Sequence, residues 1–200
     1  LRGGMEMGWD WYEGGKLLQK MNTFTDYIAC AEHLIGEGYT TKGNIVAAGG
    51  SAGGMLMGAV ANLRPDLFGA IVAQVPFVDV LNTMLDDTLP LTTMEYNEWG
   101  NPNERGFYDY IKTYSPYDNV RPQAYPPMLI TGGISDPRVT YWEPAKWTAR
   151  LRDTKTDDNL LLLKIHMESG HAGASGRFDR LKEVAEEFAF ILNTVGMGDS

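Results

Sequence analysis

At 200 residues, with 44% hydrophobic and 22% charged residues, the chain suits one domain with a real core. Its 17 Lys and Arg against 26 Asp and Glu give a net charge of -9, which argues against a nucleic-acid binder. No apolar run approaches the roughly 20 residues of a membrane span, so no membrane partner is expected.

The opening LRGGMEMGWDW has neither the basic start nor the apolar stretch of a signal peptide, and it begins at Leu1, as a piece of a longer chain would. Phe24, Ile28, Ala31 and Ile35 then recur at helical spacing, predicting a helix within Asn22–Gly38 that Gly36 and Gly38 stop. The single cysteine, Cys30, can form no internal disulfide, fits a reducing, cytoplasmic setting, and is expected as a small buried hydrophobe in that helix. Asn44–Ala48 is a short apolar run ending in glycine, readable as a buried strand, and Met55–Leu63 follows as a helix closed by Pro65. Gly69–Val75, Met128–Thr131 and Leu160–His166 read as further strands. Pro144–Arg152 and a segment marked by Leu181, Val184, Phe188 and Ile191 read as helices. This alternation predicts an α/β fold: a mostly parallel sheet with helices on both faces. The stretch from Asp79 to Gln123 is polar, aromatic and turn-rich, and is expected to run over the top of the sheet.

Gly49, Gly50, Ser51, Ala52 and Gly53 match G-x-S-x-G between a predicted strand and a predicted helix, the context a nucleophile elbow requires. Such a turn lifts the serine hydroxyl above the sheet and aims the amide of the next residue, Ala52, at a developing oxyanion. The serine needs a base, and the histidines are His33, His166 and His171. His33 lies in the first helix and His166 ends a strand; His171 sits in a small-residue loop between the last strand and the last helix, where an α/β-hydrolase carries its base. Asp136, in ITGGISDPRV, follows a strand between the other two, whereas Asp79 comes one strand too early and Asp118 belongs to a turn. The order Ser51, Asp136, His171 is that of the α/β-hydrolases.

Together RGGMEMGWDWYEGGK, GGSAGG, RPDLF, VPFVDV, EWGNP, SPYDNV, DPRVTYWEPAKW and SGHAGASGR resemble the oligopeptidase B branch of the prolyl oligopeptidase family of serine peptidases, over about Leu1 to Leu192. The resemblance implies an α/β-hydrolase domain capped by a β-propeller, cleavage of short peptides after arginine or lysine, and Ser51, Asp136 and His171 as the triad. It implies that Arg138 grips the substrate backbone. It further implies that Glu95 and a second glutamate two positions on hold the cation of the residue before the cut (P1), but here that second position is Asn97. One carboxylate with an amide can still select a cation, with a weaker preference for arginine over lysine. No metal or organic cofactor is expected. The resemblance also puts a propeller, further strands and a tyrosine oxyanion donor upstream of RGG. The upstream segment is expected to pack on this chain, and the isolated chain, partial as a catalytic domain over 1–200, to be poorly stable or inactive. Rival readings are an esterase acting on small esters, which the same triad serves, and a non-catalytic hydrolase-fold module.

Overall fold

The computed structural model describes residues 1–197. Its elements run in chain order as α1 (Trp9–Glu13), α2 (Met21–Gly36), β1 (Ile45–Gly50), α3 (Ala52–Leu63), β2 (Phe68–Gln74), α4 (Val80–Leu85), α5 (Tyr96–Trp99), α6 (Arg105–Tyr114), β3 (Met128–Gly133), α7 (Trp142–Thr154), β4 (Leu161–His166) and α8 (Arg177–Thr194). Single 3-10 turns at Leu17–Gln19 and Pro65–Leu67 join the series.

The four strands form one parallel sheet in the order β1-β2-β3-β4. Period-two alternation of the side chains divides them between two faces. Ala47, Ile71, Ala73, Met128 and Ile130 point to the face covered by Met57, Val60 and Ala61 of α3 and by Trp147 and Leu151 of α7. Ala70, Val72 and Leu129 point to the other, where Phe190 of α8 closes over them. The predicted parallel sheet with helices on both faces is thus the one formed. Register pairs Gly50 with Gln74, Gln74 with Thr131, and Gly133 with His166, so the carboxyl ends of all four strands align along one edge. The loops that leave this edge carry Ser51, Asp136 and His171, the position where open parallel sheets build their sites.

β1 pairs only with β2 among the described residues, so its outer edge is open, in keeping with the further strands that the resemblance puts upstream. The last helix forms where predicted, but its buried face differs. Glu183 and Phe190 turn inward while Leu181 and Phe188 are more than half exposed, because the helix carries more apolar side chains than its sheet-facing side holds. Cys30 is exposed rather than buried. The buried side of α2 runs through Phe24 and Ala31, with Tyr27, Ile28 and Ile35 packed beside it, and two residues beyond Ile28 the helix has turned by about 200°.

Between Asp79 and Gln123 lie α4, α5 and α6, which the sequence reading leaves as a polar excursion. Four and six residues are too few for periodicity to mark α5 and α4. Inside, the segment is apolar: Val80, Leu81, Met84, Trp99, Ile111 and Tyr114 pack with Phe24, Met55, Phe77 and Val139 into a second core.

Candidate active site

β1 ends at Gly50 and α3 begins at Ala52, which leaves Ser51 alone to reverse the chain. It does so at φ 57 and ψ -119, a conformation that costs a side-chain-bearing residue roughly 1–3 kcal/mol. The backbone around it secures the turn: Ser51 N–H donates to Gln74 O at 2.9 Å, and Ser51 O accepts from Phe77 N–H at 3.1 Å. The turn is also tight. A Cβ on Gly49 would sit 2.4 Å from the carbonyl oxygen of Gly53, so only glycine admits this strand-to-helix approach. Ala52, at the first position of α3, keeps its N–H outside the helical ladder and lies on the cavity wall beside Ser51.

Asp136 follows β3 and is 5% exposed. Its Oδ1 accepts the N–H groups of Arg138 at 2.8 Å and Val139 at 3.0 Å. Its Oδ2 lies 2.8 Å from Nδ1 of His171. His171 comes from the loop after β4, shaped by a bridge between Gly170 and Gly173. Close approach again needs a glycine, since a Cβ on Gly133 would fall 2.5 Å from Ser169 O. Ser51 and His171 line one cavity of about 590 Å³ between the strand ends and α8. Among the described residues Ser51 Oγ makes no hydrogen bond, so Ser51 and His171 share the cavity wall without a bond between them.

Of the residues set aside on sequence grounds, His166 also lines the larger cavity with Ser51, and all but His33 have side-chain partners. His33 is exposed on α2, and His166 Nδ1 lies 3.3 Å from Glu183. Asp79 pairs with Lys146 at 2.5 Å, and Asp118 accepts the Ser115 hydroxyl at 2.7 Å.

A second, smaller cavity of about 70 Å³ opens on the other side of Ser51, walled by Ala52, Phe77, Met84, Trp99, Glu95 and Arg138. Glu95 Oε2 accepts Trp99 Nε1–H at 2.5 Å, which fixes the carboxylate in this wall. Arg138 is exposed at the cavity and makes no ion pair among the described residues, so its guanidinium is available. Asn97 is exposed and does not line the cavity, because two positions along a helical turn rotate its side chain away from that of Glu95. Glu98 turns elsewhere and accepts the Tyr12 hydroxyl. The cavity therefore holds one carboxylate. Its apolar walls, Phe77, Met84 and Trp99, are not marked by any sequence motif. The described residues contain no cluster of three or more His, Cys, Asp or Glu that could hold a metal ion.

Comparison with known proteins places the chain in a family. The model of the prolyl oligopeptidase family matches residues 1–198. The chain belongs to the prolyl oligopeptidase family. It is 59% identical to Protease 2 of Moraxella lacunata, covering 98% of this chain and 29% of that protein. It is 55% identical to dipeptidyl aminopeptidase BI of Pseudoxanthomonas mexicana, covering 98% and 27%. Oligopeptidase B from Trypanosoma brucei, in a closed form with covalently bound antipain, superposes with a TM-score of 0.96 at 58% identity, covering 98% of this chain and 28% of that one. The chain thus spans under a third of the prolyl oligopeptidase-family relatives it matches.

Proposed function

We propose that the full-length protein carrying this chain is a serine oligopeptidase that cleaves short peptides through an acyl-enzyme, after arginine or lysine. The observation that carries this reading is the Asp136–His171 hydrogen bond of 2.8 Å on a cavity that Ser51 shares. Ser51 Oγ attacks the scissile carbonyl carbon while its proton passes to His171 Nε2; Asp136 holds the imidazole by Nδ1 and stabilises its cationic form. The carbonyl electron pair moves onto oxygen, where Ala52 N–H meets it, a contact worth roughly 3 kcal/mol in comparable sites. Collapse of this intermediate breaks the C–N bond, and His171 returns the proton to the leaving amine. Water, deprotonated by the same imidazole, then hydrolyses the ester.

Glu95 supports the basic preference: it is the carboxylate in the 70 Å³ cavity next to Ser51, where a P1 cation meets a fixed anion. Arg138, on the cavity rim and without an ion pair among the described residues, supports a grip on the substrate backbone. The single cysteine fits a cytoplasmic, reducing setting.

Fluorophosphonate labelling of the full-length protein, with peptide mapping and Ser51→Ala as control, tests the chemistry. Labelling confined to Ser51, followed by faster turnover of arginyl and lysyl amides than of prolyl amides, is the expected result. A folded protein that leaves Ser51 unlabelled would remove the peptidase reading, and one that cleaves esters but no amide would make it an esterase.

A further inference from the structure

Glu143, in the first turn of α7, is fully buried, although a carboxylate there forfeits its hydration. It lies outside both cavities near Ser51, and no cation stands within ion-pair distance of it among the described residues. All its side-chain hydrogen bonds reach one segment, 60 to 65 residues upstream: Oε2 accepts Val78 N–H and Asp79 N–H, each at 2.9 Å, and Oε1 accepts the Thr83 hydroxyl at 2.7 Å.

That segment contributes part of the wall of the smaller cavity. Phe77, immediately before Val78, faces the cavity and donates its N–H to Ser51 O. Thr83 and Met84 line it as well. Thr83 O in turn accepts the Thr92 hydroxyl at 2.9 Å, and Thr92 O accepts Glu95 N–H at 3.2 Å. Hydrogen bonds joined through the covalent frames of Thr83 and Thr92 therefore link Glu143 to the carboxylate-bearing residue of the cavity. At its other end Glu143 begins the helix that follows the Asp136 loop, its N–H bonded to Thr140 O. Asp79 has its own countercharge in Lys146, a residue of α7, so the two carboxylates are not competing for one cation.

We propose that Glu143 is a positioning residue that sets the P1 cavity, by clamping the 77–83 segment to α7, the helix that follows the loop carrying Asp136 and Arg138. This rests on the peptidase reading above. An apolar side chain of equal volume would pack as well without the desolvation cost, but would leave two backbone N–H groups and a hydroxyl unpaired. Burial, with Asp79 beside it, pushes the Glu143 carboxyl up to about 7, which matches a group held for its geometry at some expense to its charge.

The test uses the full-length protein with Glu143→Ala, Glu143→Gln and Thr83→Val. Fluorophosphonate labelling and p-nitrophenyl acetate hydrolysis report Ser51 chemistry without filling the cavity, whereas an arginyl amide fills it. For Glu143→Ala we expect kcat/KM on the arginyl amide to fall by about 10- to 100-fold, chiefly through KM, with labelling within about 3-fold of wild type. Glu143→Gln keeps an oxygen for the two N–H groups and offers its NH2 to the Thr83 oxygen, so it stays within about 3-fold on both. Thr83→Val, which removes one link, shows a smaller KM rise, and it decides the matter if the alanine variant does not fold. Unchanged KM in folded Glu143→Ala, or in Thr83→Val where the alanine variant does not fold, overturns the proposal, as does an equal loss of labelling and amide turnover. A wild-type protein that fails to label at Ser51 would instead overturn the peptidase reading, so the two failures are distinct.

Discussion

Asp136 meets His171 with only one of its oxygens: Oδ2 lies 2.8 Å from the histidine Nδ1, while Oδ1 is committed to the N–H groups of Arg138 and Val139. Orientation of the imidazole and the shape of the loop beneath it thus depend on one side chain. Asp136→Asn separates the two. Its oxygen still takes both backbone N–H groups, so the loop and the melting temperature hold within a few degrees. Its NH2 faces Nδ1, forcing the tautomer whose Nε2 carries hydrogen and cannot accept the Ser51 proton. Turnover of a peptide amide is expected to fall about 10³- to 10⁴-fold. Steady-state kinetics beside a thermal melt checks this, and a small loss of turnover would mean Asp136 does not set the tautomer.

Ser51 is one of the few non-glycine residues with positive φ, at 57°, and that strain is independent of its hydroxyl. Ser51→Ala and Ser51→Gly should both abolish labelling, yet they should differ in stability. Glycine adopts this region without a Cβ penalty, so the glycine variant is expected to be the more stable by about 1 kcal/mol. Thermal or urea melts of the two variants make the comparison, and an alanine variant equal or superior in stability would show that the turn relaxes when the hydroxyl is lost.

The sequence makes Ser51, Asp136 and His171 legible for a simple reason. Each lies in a turn directly after an apolar run, and parallel strands deliver such turns to one edge. Glu143 is not legible in the same way. A glutamate in the first turn of a helix reads as a solvated acid favoured by the helix dipole. Its burial depends on Val78, 65 residues away in sequence, which periodicity cannot reveal. Asn97 differs for the opposite reason: the resemblance puts it with Glu95, but the rotation of α5 carries its side chain away from the cavity. Phe77, Met84 and Trp99 read only as apolar residues, and which cavity they wall is decided by tertiary packing.

If Glu95 supplies the anion for a basic P1 side chain, charge and not size governs the effect of changing it. Glu95→Gln retains the shape and an acceptor for Trp99 Nε1–H but removes the negative charge. KM for arginyl and lysyl amides is expected to rise about 10-fold or more, with kcat less affected, since loss of a charge-assisted bond is worth about 1.5–3 kcal/mol. Asn97→Glu adds a carboxylate that points into solvent and should change either KM by less than about 3-fold. A marked gain in arginine preference in Asn97→Glu would show that α5 rotates when substrate enters.

Burial raises the Glu143 carboxyl from its ordinary 4.5 to about 7, and this has a definite sign in the dependence of stability on pH. Between those two values the folded protein keeps a proton that the unfolded chain has released. Stability from this residue is therefore greatest at low pH, declines as pH rises through that window, and is flat above it. Glutamine cannot ionise, so Glu143→Gln loses the slope. Relative to wild type, the variant is expected to gain stability from about pH 4.5 to 7, by at most on the order of 3 kcal/mol. Urea midpoints of both proteins at pH 5 and pH 8 measure it. If the two midpoints shift in parallel, Glu143 is ionised throughout the range. Its three donors, Val78 N–H, Asp79 N–H and the Thr83 hydroxyl, would then outweigh the burial that opposes its charge.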